Sequence, residues 1–515
     1  MKKRAAIVLA VLMAGFPPTA IKSGPESSAE ARLSTAQGHF REGRFDEAVQ
    51  AYRKILERDA SHVEAHVGLG RALLKKDDLE EAHRAAQKAM QVAPAAAAVR
   101  AVLGDVMYRQ ADFEKATAAY LVAVSRDSRH ARGHLGLGKI LASEARHKSA
   151  KANFEKAYEL DPEDPEIILA WYSTRKDRDE RIQALERYLE KAKNEEEYMI
   201  RAVRSRLDVL KKLGDKKTFR LQGGSKTARI KLELLHSGSR LDYGYGVQVA
   251  FNNGKSYRLL LDTGASGVLI HRKAAEKIGV EFLAGSFVYG AGDEGDKDAY
   301  VGLVGSMRVG AFEFKDCTVS VTDRKSIGDT AGIIGTDVFA RFLVRLDFPR
   351  RVLELEPFPE PEGAGDPDEE APMARDRQIT QANQDFTPVR HILGKLLVRT
   401  QVNGKQATYF MIDSGASMNF ISESLARAVT DVSIETRMQA KGVSGEIKKL
   451  HRADRVLLEF GGIRQQNIDM ISFDFKKLNK RMGTEVSGLI GHPALKQITL
   501  IIDYRNGLVN FNYRP

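Results

Sequence analysis

Two stretches of this 515-residue chain, "LLLDTGASGVLI" (Leu259–Ile270) and "FMIDSGASMNFI" (Phe410–Ile421), each place an aspartate at the end of an apolar run, then a small residue and a glycine. Each reads as a buried strand running into a tight turn, where a carboxylate is costly unless it is paired or hydrogen-bonded. The arrangement occurs twice in register, which predicts that Asp262 and Asp413 form a pair. Further features recur in the same order. "VYGAGDEG" and "AKGVSGE" are glycine-rich hairpin candidates downstream of the two aspartates. Farther on, "AGIIGTDVFARFLVRLDF" and "SGLIGHPALKQITLIIDY" each put two aliphatics before a glycine, Gly335 and Gly491.

Asp-Thr/Ser-Gly-Ala, a glycine-rich hairpin and then hydrophobic-hydrophobic-Gly resembles one lobe of a pepsin-like or retropepsin-like aspartic peptidase. The chain holds two such sets, residues 241–357 and 385–515. The resemblance implies a two-lobed β-barrel unit in which Asp262 and Asp413 share one proton, because two carboxylates so close cannot both ionise. The ionised member would draw a proton from water, and the protonated member would hydrogen-bond the scissile carbonyl. By the same resemblance Thr263 and Ser414 bond across the lobe interface, and the Gly335 and Gly491 segments brace the aspartate loops. Gly264 and Gly415 let the backbone turn tightly and present N–H groups to the carboxylates. Tyr289, Gly290, Gly292, Gly442, Ser444 and Gly445 are candidate flap residues. Ala265 and Ala416 stand where pepsin-like lobes often have a serine donor, so the expected optimum lies nearer weakly acidic or neutral pH than strong acid. No metal or cofactor is implied.

The first half of the chain has a different grammar. Ala48, Ala82, Ala116 and Ala150 recur every 34 residues; Gly70, Gly104 and Gly138 keep step before them, and Tyr52, Ala86, Tyr120 and Phe154 after them. A small residue lets two helices approach, and an aromatic one turn later fills the neighbouring groove. This pattern resembles the tetratricopeptide repeat, with four units and a degenerate fifth over residues 29–193. It implies an α-superhelix whose concave face takes a protein substrate or partner.

"MKKRAAIVLAVLMAGFPPTA" has basic residues, an apolar run from Ala5 to Phe16 too short to span a bilayer, and then small residues and prolines. It reads as a signal peptide over residues 1–28, which implies a periplasmic or secreted protein; an uncleaved membrane anchor is the alternative. Cys317 is the only thiol, so no internal disulfide forms and stability rests on packing.

The formal net charge of +11 is concentrated between Arg201 and Lys231, with eleven basic residues against Asp208 and Asp215. In an exported protein this points away from nucleic acid. The expected partners of residues 201–231 are an anionic membrane surface or the chain's own acidic segment Glu354–Glu370, which has eight acids and no base. Residues 194–240 read as a basic connector with short strands, and residues 358–384 as an acidic, Pro-rich linker.

Other motifs carry less. His62/His66 and His130/His134 have i, i+4 spacing but occupy equivalent repeat positions with no third ligand. "GGSKT" at Gly223 lacks the glycines of a phosphate-binding loop, and Ser266 and Ser417 lie in no Gly-x-Ser-x-Gly elbow. The expectation is thus a monomeric multidomain protein, an α-superhelix followed by an all-β peptidase unit. Its function would be that of an exported aspartic endopeptidase whose repeats recruit protein; the alternative is a catalytically silent peptide-binding scaffold.

Overall fold

The computed structural model describes residues 28–192, 195–222, 227–236, 242–252, 254–323, 330–358, 375–435 and 438–513. The segment read as a signal, "GGSKT" as far as Lys226, and most of the acidic linker lie outside them. Among the described residues no helix is long and apolar enough to cross a membrane.

Helices come first, in pairs: Ala29–Arg41 with Phe45–Arg58, Val63–Lys75 with Leu79–Val92, Ala97–Arg109 with Phe113–Arg126, and Ala131–Ser143 with His147–Leu160. Pro165–Tyr172, Arg178–Lys191 and Glu197–Leu213 follow, the last closed by Gly214 at φ 56°. Each turn within a repeat pair needs one left-handed residue, supplied in step by Gly43, Asp77, Ala111 and Ala145 at φ 71°, 63°, 57° and 58°. The periodic alanines are buried without exception. At the crossings the space left by glycine is taken by a ring: a Cβ on Gly104 would lie 2.6 Å from the Tyr120 ring, and one on Gly136 or Gly138 would overlap Tyr120 or Phe154. The Tyr120 hydroxyl donates to Asp105 at 2.8 Å, which fixes the ring.

The histidine pairs are spent locally. His130 Nδ1 accepts from the Gly133 N–H at 3.1 Å, capping its helix, and ring nitrogens of His66 and His134 hydrogen-bond the carbonyls of Ala60 and Ser128.

The β unit holds a nine-stranded sheet belonging to the first lobe and a thirteen-stranded sheet that joins the two lobes. In the joining sheet, Leu343–Asp347 of the first lobe pairs antiparallel with Ile498–Asp503 of the second, Val344 opposite Ile502. Residues read as a connector are built into these sheets. Arg220–Gln222 pairs with the strand through Glu313–Lys315, Glu233–His236 pairs with Asp242–Phe251, and Ala228–Lys231 pairs with Val352–Leu355.

Most of the acidic segment lies outside the described residues, and the helical part of the basic segment lies on the first lobe. Arg201 Nη2 donates to Asp298 at 2.9 Å, and Arg201 and Lys212 sit over the rings of Phe287 and Phe282 in the first lobe. Arg229 meets Glu354, the first residue of that acidic segment, at 3.4 Å on the paired strand. The Glu197–Leu213 helix is amphipathic: its apolar face must be covered, so its cations follow it onto the strand Glu281–Val288.

Repeats and β unit share one apolar core. Phe113, Leu137 and Ile140 pack with Leu397, Tyr409 and Leu489, and Phe113 meets Tyr409 edge-to-face at 4.9 Å. Arg390 bonds Glu144 at 2.6 Å at the margin of this core. The described end of the linker is a tether rather than a solvated strand. Asp376 accepts from Ser149 N–H and Oγ–H at 3.0 and 2.6 Å, capping the helix His147–Leu160, whose own N-cap side chain makes no capping hydrogen bond.

Replacing Gly104 with Ala should displace the Tyr120 ring and its bond to Asp105. Overpacking of this kind costs about 1–3 kcal/mol, offset by up to about 1 kcal/mol of helix propensity. The midpoint of thermal unfolding followed by helical circular dichroism should therefore fall.

Candidate functional site

The two aspartates end parallel-paired strands. Lys255–Asp262 is flanked by Gly332–Gly335 in parallel, with Gly335 opposite Asp262, and Gln406–Ile412 is flanked by Gly488–Ile490 in parallel. These apolar strands fill the core beneath the site and aim both turns at the lobe boundary.

Glycine at the brace is a steric requirement. A Cβ on Gly335 would lie 2.8 Å from Ala265 O, and one on Gly491 2.8 Å from Ala416 O. Gly335 N–H donates to Gly267 O at 2.7 Å, and Gly491 N–H to Asn419 Oδ1 at 2.8 Å.

The loops grip each other across the boundary. Thr263 Oγ1–H donates to Ile412 O at 2.8 Å and accepts from Ser414 N–H at 2.9 Å. Ser414 Oγ–H donates to Leu261 O at 3.0 Å and accepts from Thr263 N–H at 3.0 Å. All four bonds are buried, where an unmet partner would cost most.

The grip brings Asp262 and Asp413 face to face across the lobe boundary. A Cβ on Gly264 would sit 2.6 Å from Asp413 Cγ, and one on Gly415 2.5 Å from Asp262 Cγ, so only glycine admits the pair. Gly264 N–H donates to Asp262 Oδ1 at 2.7 Å; Gly415 and Ala416 N–H donate to Asp413 Oδ1 at 3.1 and 3.0 Å.

Burial pushes both carboxyls up from the usual range. The charge of each adds to the burial of the other, while backbone N–H groups and Lys395 oppose the rise in both. The titration belongs to the pair rather than to either residue.

Four neighbours of the aspartate loops were not singled out in the sequence. Asp337 accepts from Gly267 N–H at 2.9 Å and is itself raised by burial. Thr336 and Tyr504 hydroxyls bond each other at 2.6 Å across the boundary. Lys395 reaches the site from the second lobe, its Nζ donating to Ser266 Oγ at 3.0 Å. Asp337 lay within "AGIIGTDVF" and was legible as a neighbour of Gly335; nothing local marks Lys395 in "HILGKLL".

The glycine-rich segments form two hairpins that meet each other. One joins Glu281–Val288 to Lys297–Val309; the other joins Ala440–Gly442 to Gly445–Ile447. They are laced together: Gly290 N–H donates to Ser444 Oγ at 3.0 Å, Ser444 N–H to Ala291 O at 3.0 Å, and Glu294 N–H to Ser444 O at 2.9 Å. Gly442 leaves room for Ala291 O, and Gly292, at φ 131°, lies against the Ser444 carbonyl. Gly445, at φ 99°, lies against Glu294.

Tyr289 is turned away from this lacing and lies beside Arg481, whose guanidinium is 5.4 Å from its ring and 3.4 Å from that of Tyr198 on the last helix. Arg481 also bonds Asp296 through both oxygens at 2.8 and 2.7 Å. A groove of about 2370 Å³ follows the inner face of the repeats and ends against His391, Leu393 and Gly394 of the hairpin that carries Lys395.

Thr263→Val should leave the Ile412 carbonyl and the Ser414 N–H unmet, at about 1–3 kcal/mol each, seen as a lower thermal midpoint. The acid pair, raised in the folded state, contributes stability that is complete below the unfolded carboxyl pKa and lost as pH rises through the folded value. Asp413→Asn should therefore flatten the fall of thermal midpoint with rising pH in scanning calorimetry.

Comparison with known proteins agrees with this architecture. The family model described as aspartyl protease matches residues 247–338 and 398–494, and two models described as tetratricopeptide repeat match residues 39–87 and 102–165. No curated protein matches the chain. Among solved structures, a thermophilic repeat protein of Thermus thermophilus is 22% identical, covering 36% of this chain and 100% of its own, with TM-score 0.30. The aspartic proteinase of Irpex lacteus is 12% identical over 56% of this chain and 97% of its own, with TM-score 0.34. YrrB, described as a repeat protein with an unusual peptide-binding site, is 21% identical over 34% and 91%, with TM-score 0.22. The aspartyl protease matches fall one in each lobe and the tetratricopeptide repeat matches along the paired helices, so the chain is similar to tetratricopeptide repeats in its N-terminal part and to aspartyl proteases in its C-terminal part.

Proposed function

We propose that this chain is an aspartic endopeptidase, exported by its N-terminal segment to the periplasm or exterior, whose repeats recruit a protein substrate or partner. The observation that carries the reading is the approach of Asp262 and Asp413 over two glycines that have no room for a side chain. In such a pair one carboxyl keeps a proton and the other loses it. The ionised member takes a proton from an attacking water as the oxygen bonds the scissile carbonyl carbon, and the protonated member hydrogen-bonds the carbonyl oxygen. The resulting tetrahedral intermediate collapses with proton transfer to the leaving amine, and no covalent enzyme adduct forms.

Gly264, Gly415 and Ala416 N–H groups stabilise whichever oxygen carries the charge. The hairpins would part to admit an extended peptide and close over it to exclude water. Recruitment is supported by the groove, which leads from the repeats toward the site.

The test is cleavage of an internally quenched peptide library by the full chain, Asp262→Asn and Asp413→Asn. Wild-type cleavage should peak at weakly acidic to neutral pH and be blocked by pepstatin-like compounds. Each variant, still folded, should lose about 10²–10⁴-fold or more. Folded wild-type protein that binds peptides without cutting them would instead make this a peptide-holding scaffold.

A further inference from the structure

The floor of the cleft gathers three carboxyls, Asp262, Asp337 and Asp413, in surroundings dry enough to raise all of them. An ionised carboxylate there costs several kcal/mol unless a cation compensates it. The cation comes from the other lobe. Strands Thr387–Ile392 and Lys395–Val402 are joined by a two-residue turn, Leu393–Gly394, with φ of 49° and 79°. Both residues being left-handed, the turn is of the tight hairpin kind that matches strand twist.

Leucine is a poor residue for that conformation, and here its side chain is 59% exposed, so no apolar burial accounts for it. What the turn achieves is placement. Gly394 lies flat against the first lobe, where a Cβ would overlap Ser266 Oγ and come within 3.8 Å of Asp337 Oδ2. The next residue, Lys395, then extends its Nζ to 3.0 Å from Ser266 Oγ.

Burial lowers the lysine's affinity for its proton, and Asp262, Asp337 and Asp413, in that order, oppose the loss. The other titratable groups around it add little charge near neutrality. His391, on the adjoining strand, is held neutral by burial with a pKa of about 4, and the Tyr504 phenol, bonded to Thr336, is pushed far up by its burial.

We propose that Lys395 is a positioning residue of the aspartate pair: its ammonium, carried across the lobe boundary by the Leu393–Gly394 turn, is the counter-charge that favours ionisation of the pair. The inference rests on reading Asp262 and Asp413 as an acid–base pair. It supplies what Ala265 and Ala416 cannot, since neither side chain can donate to an ionised oxygen. A cation favours each ionisation of the pair, so its removal moves both steps to higher pH. At a fixed pH on the acid side, a shift of about one pH unit removes about tenfold of the active form.

The experiment compares wild type with Lys395→Met, Lys395→Gln and Lys395→Arg in the full chain, with fold checked by near-ultraviolet circular dichroism. Carboxyl carbons of ¹³C-labelled aspartate are titrated by NMR, the pair's signals being those absent from Asp262→Asn and Asp413→Asn. In parallel, the pH dependence of kcat/KM is measured on the quenched peptide library.

Lys395→Met and Lys395→Gln should raise the titration of the pair by about one pH unit or more and move both limbs of the rate profile the same way; Lys395→Arg should restore them. A folded Met or Gln variant whose pair titrates as in wild type overturns the proposal, as does cleavage with an unshifted profile. If the NMR shift is seen while no form of the protein cuts the library, the counter-charge stands and the peptidase reading falls.

Discussion

Four buried hydrogen bonds between Thr263 and Ser414 and the backbones of Leu261, Thr263, Ile412 and Ser414 hold the two lobes at one fixed separation. Each hydroxyl both donates and accepts, so neither lobe's loop is complete without the other. The position of the carboxyls follows from that grip. With the loops locked, Asp262 lies over Gly415 and Asp413 over Gly264, and the absence of two Cβ atoms becomes the space in which the acids meet. Strand pairing from below, through Gly332–Gly335 and Gly488–Ile490, leaves the loops no alternative register.

Repeats and peptidase-type unit are not independent beads. The core running from Phe113 and Ile140 into Leu397 and Tyr409 is apolar and continuous, and Asp376 and Arg390 close its edges with bonds to the repeat helices. On the far side, the last helix touches the first hairpin through Arg201 and, by way of Tyr198 and Arg481, through Asp296. The first glycine-rich hairpin thus rests on the end of the repeat array through charged and aromatic contacts.

Much of this was legible in the order of residues. The paired aspartates and the glycines beneath them were readable because each is a local answer to a local demand, a tight turn or a close approach; the cross-lobe hydroxyls were implied by the resemblance. The 34-residue recurrence was equally plain, since helix crossings repeat their need for small and aromatic residues.

Other parts resisted. Arg201 and Lys212 were counted as charge and expected on an acidic segment, but they travel with the apolar face of their helix onto Phe282 and Phe287. Residues Arg375–Arg377 looked like solvated linker because composition cannot show that Asp376 caps a helix 227 positions earlier.

The sequence by itself determined the repeat superhelix, the duplicated lobe and the identity of the acid pair, since these depend on periodicity and on residue types required within a few positions of one another. Tertiary structure alone decided which hairpins lock together, where the repeats seat, and that Lys395 stands beside the acids. Those outcomes hang on contacts between residues far apart in the chain. A lysine after a Leu-Gly turn carries no mark of the first-lobe Ser266 that folding sets in front of it.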